Sequence, residues 1–335
     1  MQKTLLAYIL DAVILVLLSL VCTSCEEQTT AQVSNVEQLT IKLTYDQTEN
    51  LLSNARITPQ EITEKNEQLT GEELMRVILR AYPIERGKRA TDHIFEKTFT
   101  KRISEGYDCQ TQIELPAGEY ELLVWSDLLI NGSPLHNADD FSEVTFYGDH
   151  IGCTFCREAF RGSTAISVFR GEGKNASSYD ILMKKPLARF ELLSDDLAEF
   201  LSAEIDRRPG EKVNLDDYVV AFYYVGFMPV AYSLFKDAPV DSSTGAMFTS
   251  SIKSISETEA SLGFDYVFVN NKDSAVTVRI GVYDNKGELV SLTKSIKVPL
   301  KRDNVTVLRG NYITQVSADG ILIDTEYNGD HNLFL

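Results

Sequence analysis

Cys153-Thr154-Phe155-Cys156 is the sharpest motif for chemistry in the sequence. With His150 and the distant Cys109 it could supply three thiolates and an imidazole, a ligand set that zinc accepts. A redox C-x-x-C would sit in a thioredoxin-like βαβ unit, and no such pattern surrounds this one. In an oxidising compartment, cysteines at this spacing favour a disulfide. The motif therefore reads as structural. A bridge between Cys153 and Cys156, or from the motif to Cys109, comes ahead of free thiols, and free thiols come ahead of metal.

The other chemistry-bearing residues are scattered. His93, His136, His150 and His331 stand far apart, and the H-E-x-x-H spacing of helical zinc proteases is absent. No G-x-S-x-G elbow or phosphate-binding G-x-x-x-x-G-K-[ST] loop occurs. Gly171-Glu172-Gly173 lacks both the third glycine and the βαβ setting of a dinucleotide site. The acid pairs Asp139-Asp140, Asp195-Asp196 and Asp216-Asp217 could in principle do acid–base work. Neighbours on a strand point to opposite faces, however, and in an acidic chain such pairs are usually solvated loop or cap residues. No catalytic residue, metal or cofactor is expected, and the chain does not read as an enzyme. Its one tryptophan, Trp125, falls inside a strand pattern, where partial burial is expected.

The N-terminus carries a different chemistry. Lys3 precedes an apolar run from Leu5 to Val21 that Asp11 interrupts, too short for a membrane span of about 20 apolar residues. Residues 1–24 read as a secretory signal peptide. Thr23-Ser24-Cys25 follows the run, and a small residue before a cysteine at this place resembles the bacterial lipobox, which makes Cys25 the lipid acceptor and first mature residue. Cys22 is a rival, but Val21 before it is a poor cleavage-site residue. Several acyl chains on one cysteine hold a protein stably on a membrane. Residues 25–37 are polar and read as a tether.

These features sit on a chain of 335 residues with 32 Lys+Arg against 49 Asp+Glu, a net charge of -17. That balance argues against a nucleic-acid partner, because neutralising phosphates takes clustered Lys and Arg. From Leu39 onward the pattern alternates with period two: Leu39, Ile41 and Leu43 against Thr40, Lys42 and Thr44, then Met75, Val77, Leu79 and Ala81 against Arg76, Ile78, Arg80 and Tyr82. These predict antiparallel strands with one dry and one wet face. IELPAGEYELLVWSD (113–127) predicts two strands about a turn at Pro116–Gly118, and Asn285-Lys286-Gly287 predicts a hairpin. The apolar run 219–235 predicts strands buried on both faces. Ser194 is placed to cap a short helix with Leu197, Phe200, Leu201 and Ile205 on one face, ended by Arg207–Gly210. Pro186 suits an edge or a crossover. The fold class expected is all-β: two antiparallel β-sandwiches in tandem, residues 38–186 and 187–335.

PLARFELLSDDLAEF (186–200), YYVGFMPVAYSLFKDAPVDSSTG (223–245), LGFDYVFVNN, VYDNKGEL and VPLKRDNVTVLRGNYIT resemble the C-terminal domain of Bacteroidales fimbrillin-type lipoproteins. ELPAGEYELLVWSDL and REAFRGST (157–164) resemble the matching N-terminal domain. The resemblance covers most of 37–335 and extends to relatives with a domain of unknown function and to the FimB/Mfa-type fimbrial anchor proteins. It implies transthyretin-like sandwiches, a lipid anchor in the outer membrane and assembly with fimbrial subunits by strand exchange. The exchanged strand would be the first (Leu39–Tyr45) or the last (Gly320–Leu335), since chain ends leave a sheet without tearing a loop. Glu26-Glu27 after the lipidated cysteine resemble the surface-export signal of Bacteroidetes lipoproteins, and Asp273-Ser274-Ala275 resembles their O-glycosylation site, with Ser274 as acceptor. An ordinary loop is the competing reading of the latter. A surface glycan- or host-ligand-binding lipoprotein is the alternative function, and it would need an exposed aromatic platform. Cys153 and Cys156 depart from the family pattern.

Overall fold

Alternation becomes strand wherever one row of side chains can be buried, and the first half of the chain does this repeatedly. The computed structural model describes residues 36–47, 50–51, 73–171 and 177–315. Cys22, Cys25, His331 and the strand expected within Gly320–Leu335 lie outside the described residues. The first strands are β1 (Val36–Tyr45), β2 (Asn50–Leu51), β3 (Leu74–Glu85), β4 (Lys88–Arg89), β5 (Phe95–Arg102), β6 (Cys109–Pro116), β7 (Gly118–Ile130), β8 (Ser133–Pro134), β9 (His136–Asn137), β10 (Thr145–Phe146), β11 (Ala159–Val168) and β12 (Ser177–Met183). One sheet runs β12-β1-β6; the other runs β11-β7-β3-β4, with β5 beside β3 and β8 beside β7. Between them lies a core of Leu39, Ile41 and Leu43 from β1, Met75, Val77 and Leu79 from β3, and Leu122, Val124 and Leu128 from β7. The turn after Pro116 is fixed by Tyr120, whose hydroxyl donates to the Pro116 carbonyl at 3.0 Å.

The second half repeats the architecture with β13 (Leu187–Ser194), helix α1 (Leu197–Arg207), β14 (Val219–Tyr224), β15 (Met228–Ser233), β16 (Ala238–Ser243), β17 (Met247–Ser251), β18 (Lys253–Ser254), β19 (Ala260–Phe268), β20 (Ser274–Tyr283), β21 (Leu289–Leu292), β22 (Ile296–Leu300) and β23 (Asn304–Gly310). Its sheets are β18-β19-β13-β23-β2 and β17-β14-β20-β21, the latter with β22 on β20, while β15 and β16 pair alone. Phe190, Leu192, Val220, Phe222, Val278 and Ile280 lead the core between them. The hairpin at Asn285–Gly287 forms as expected, with the Asp284 carboxylate accepting from the Lys286 and Glu288 amides at 2.9 Å.

The all-β fold class holds, and several finer expectations need correction. The sandwiches are not purely antiparallel: β1 runs parallel to β12, and β23 runs parallel to β13 and β2. A short piece of the first half, Asn50–Leu51, thus extends a second-half sheet. The outer face of the β3–β7 sheet is not wet. Ile78, Tyr82, Leu123 and Trp125 on it are buried against Leu187, Phe264, Tyr266 and Phe268 from the outer face of β13 and β19, which makes a third core. Trp125 is wholly buried. For the same reason the strands covered on both faces are β13 and β19, whereas the run 219–235 breaks at an exposed turn, Val225–Phe227. At the helix, Ser194 does not cap. Its hydroxyl donates to Asp196, which occupies the N-cap position, and Asp196 in turn accepts from Thr314. Glu204 takes the buried position expected of Ile205, because Tyr218 and Arg207 both donate to its carboxylate.

Candidate functional site

Two features stand out: the seat of β1, and a strap from the first half that crosses onto the second. Strand β1 is the middle strand of its sheet, not an edge. Its parallel ladder with β12 runs from Leu39↔Ser177 to Tyr45↔Met183. Leu39, Ile41, Leu43 and Tyr45 point inward and are buried, while Lys42 and Thr44 are exposed. At about 1.5–3 kcal/mol per buried large apolar side chain, the three aliphatics alone contribute roughly 5–9 kcal/mol. On the far side of β6, Lys97 and Lys101 of β5 donate to the Gln112 and Asp108 carbonyls at 2.9 and 2.8 Å. Charged side chains there occupy acceptors that a stray strand would otherwise use.

The strap is residues 144–157. It starts as a bridge between Val144 and Tyr232 and then passes over β17 and β19. Gly152 lies so close to Phe248 that a Cβ there would fall 2.2 Å from the ring, which itself stacks on Phe222 at 4.4 Å. Cys153 exchanges both backbone and side-chain contacts with Phe264, its amide donating to the Phe264 carbonyl at 2.9 Å. The sulfur nests where β19 bulges: Leu192 pairs with Gly263 but Leu193 with Ser261, and Gly263 takes φ +138. Extra residues of this kind bend a strand and aim side chains elsewhere.

The strap brings His150 and Arg157 to Asp265 of β19. Arg157 Nη1 donates to Asp265 Oδ1 at 2.9 Å, His150 Nε2 lies 2.6 Å from Oδ2, and the Tyr224 hydroxyl donates to the same oxygen. Asp265 is fully buried. Burial alone would raise its carboxyl, but Arg157, His150 and Tyr224 together hold it below the ordinary carboxylate range. The guanidinium of Arg157 also lies over the Phe146 ring, 3.9 Å from its centroid. A second buried group sits in the third core: Arg76 grips Asp127 with two bonds of 2.9 and 2.7 Å, and His136 lies 3.5 Å from the same carboxylate. Burial pushes the His136 imidazole down, and the neighbouring Arg76 and His136 hold Asp127 low against its own burial.

An open cleft of about 650 Å³ lies between the strap and the turn joining β16 to β17, lined among others by Thr145, Asp149, His150, Val230, Thr244 and Met247. Such a volume is within the range of ligand sites. Among the described residues no group of three or more His, Cys, Asp and Glu is placed to hold a metal.

The residues singled out in the sequence are not brought together. No disulfide joins Cys109, Cys153 and Cys156. Cys156 belongs to the core of the first sandwich, whereas Cys153 packs against the second and third cores, so the motif's sulfurs face different interiors. Burial raises both the Cys109 and Cys156 thiols, which disfavours the thiolate that zinc or redox chemistry needs. Ser274 opens β20 half-buried, opposite Leu300, beside exposed Asp273. His93 is an exposed neighbour of Glu96. Asp139 and Asp140 are exposed, Asp140 capping Ser142. Sequence reasoning missed Arg157, Tyr224 and Asp265 as a unit. The available signal was Asp265 itself, the lone charge in LGFDYVF, since a buried strand keeps a carboxylate only where partners meet it.

Residues 29–334 match the model of a family of unknown function, DUF6562, and the chain belongs to that family. A search of curated proteins finds no match. Among solved structures, the chain is similar to a DUF1812 protein of Bacteroides thetaiotaomicron whose description proposes polysaccharide binding (TM-score 0.45, 9% identity, 76% of this chain and 79% of that one). It is also similar to the fimbrial anchor protein Mfa2 of Porphyromonas gingivalis (TM-score 0.42, 9% identity, 76% and 82%). A fimbrial assembly protein of Parabacteroides distasonis gives a TM-score of 0.37 at 12% identity over 82% and 91%. Likeness this distant carries no functional weight by itself. No helix among the described residues is long and apolar enough to cross a membrane.

Proposed function

We propose that this protein is a surface lipoprotein of the outer membrane, lipidated at Cys25, that acts as a non-enzymatic anchor or accessory subunit of a fimbria and joins its partners by strand exchange. The observation that carries the reading is the seat of β1. A strand with one apolar row fills a slot between β12 and β6, and an incoming strand with the same alternation would refill it with backbone hydrogen bonds and side-chain pockets. The resemblance of residues 186–314 to fimbrillin-type lipoproteins supports the same role. Residues 38–186 and 187–335 serve as its two domains, and Ser274 as a glycan acceptor. The glycan-binding alternative gains little from the cleft: the faces of Phe146 are taken by Arg157 and Phe268, and Trp125 is in the core. Deleting the gene tests the proposal by electron microscopy of the cells. Altered pilus number, length or retention is expected. Unchanged pili, with pocket-like binding of a defined glycan by the purified protein, would replace it with the alternative.

A further inference from the structure

The cleft beside the strap is a built site that strand exchange does not use. We infer that it receives a basic side chain, lysine or arginine, of a partner protein. The inference rests on the reading of this chain as an assembly subunit, and it adds a contact separate from the β1 slot.

The polar members of the lining can accept hydrogen bonds. Asp149 is exposed at the mouth, and hydroxyls from Thr145, Ser243 and Thr244 line the wall. Among the described residues no lysine or arginine lines it. His150 on the lining is not free to swing, because Asp265 holds its Nε2 at 2.6 Å and Asp265 is itself locked by buried Arg157 and Tyr224. Fixed polar groups of this kind cost little to organise when a ligand arrives. The Asp265 charge is already answered by Arg157, so the carboxylate left for a ligand is Asp149.

The lining also has apolar members, Val230 and Met247, and Met247 is 44% exposed. A flexible thioether adapts to whatever lies on it. Apolar side chains beside hydrogen-bond acceptors match a side chain with a methylene stem and a cationic head. The net charge of -17 favours the approach of a basic partner over an acidic one. An anionic ligand would meet exposed Asp149, and Arg157 beside His150 is already paired with Asp265.

The test uses the full mature chain with labelled methionine methyl groups and Nα-acetyl-lysine-N-methylamide as the probe. The Met247 methyl signal should move on titration. The Nε-acetylated probe, which keeps the stem but loses the charge, should bind at least about tenfold more weakly. Asp149→Asn, an exposed change, should weaken the lysine probe about three- to tenfold and leave the other methionine signals in place. The inference fails if the Met247 signal does not move, if the two probes bind alike, or if Asp149→Asn binds as well as the parent. Its failure would leave the pilus phenotype untouched. Normal pili after gene deletion, with lysine binding intact, would remove the fimbrial reading but keep the site.

Discussion

Replacing Asp265 by asparagine should unfasten the strap. The carboxylate accepts from Arg157, His150, Tyr224 and the Tyr266 amide. Asparagine keeps the shape, removes the charge and presents an N–H to donors. Arg157, itself buried, is then left as an unanswered charge. Breaking a buried pair from one side costs about 3–5 kcal/mol. At about 1.5–2 °C per kcal/mol for a compact body of roughly 300 residues, the melting temperature should fall by roughly 5–10 °C. Urea titration at pH 7 followed by tryptophan fluorescence reads it directly, since Trp125 lies in the third core that the strap helps to cover. Acid gives an independent sign. The folded carboxyl is held below the ordinary value, so the unfolded chain binds the proton first as pH falls. The stabilisation from Asp265 is complete above the unfolded carboxylate value of about 3.9 and is lost as pH drops toward the lower folded value. Asp265→Asn should therefore flatten the acid limb of the stability curve, leaving the part due to Asp127, Asp237 and Asp284, which are also held low. Adding Arg157→Met to Asp265→Asn should recover part of the loss. A drop under about 1 kcal/mol, or strictly additive single and double variants, would refute the coupling.

Cys25→Ala should move the mature chain from membrane to soluble fractions and abolish palmitate labelling; retention with label would remove the lipid anchor from the reading. Gly152→Ala should cost about 1–3 kcal/mol in urea titration, because the new methyl meets the Phe248 ring; a neutral result would mean that the strap does not lie as described. Alkylation of the denatured, unreduced protein should modify both Cys153 and Cys156, as expected for sulfurs that face different cores; protection of both would demonstrate a bridge. Mass spectrometry of the peptide holding Ser274 from the native host should show a glycan, and an unmodified peptide would end that proposal.

The strand pattern was readable because period two is a local property: Leu39, Ile41 and Leu43 sit on one face whatever covers them. What covers the second face is not local. Arg76, Arg80 and Tyr82 look like a wet face in the sequence, yet Arg80 lies over the Phe141 ring and Arg76 is spent on Asp127. Parallel pairing of β1 with β12 was equally hidden, since it joins strands separated by the rest of the sandwich. Cys153 and Cys156 were misleading for the opposite reason. Their closeness in sequence suggested closeness of sulfur, but the 3-10 turn at Phe155–Arg157 and the positive φ of Cys153 turn the side chains into separate interiors. The network around Asp265 needed three segments to meet, the strap, β14 and β19, and only its single charge in an apolar strand hinted at it.

The depth of β1 constrains how any exchange could work. A strand leaving this slot uncovers an apolar row worth several kcal/mol, so the empty slot cannot persist in water without a substitute. The substitute must run parallel to β12, because the ladder from Leu39↔Ser177 to Tyr45↔Met183 fixes the direction of the acceptors and donors it would meet. Its register is equally fixed. A slip of one residue would turn the positions of Thr40, Lys42 and Thr44 inward and the apolar row outward, and burying an unpaired lysine head there is prohibitive. A donor segment for this protein is therefore recognisable from its own sequence: apolar residues at four alternate positions, polar residues between them, and a polarity that places its N-terminal end at the Ser177 side. A partner segment lacking that alternation should fail to displace β1 in a peptide competition experiment. One that carries it but still fails at high concentration would point away from this slot as the joint.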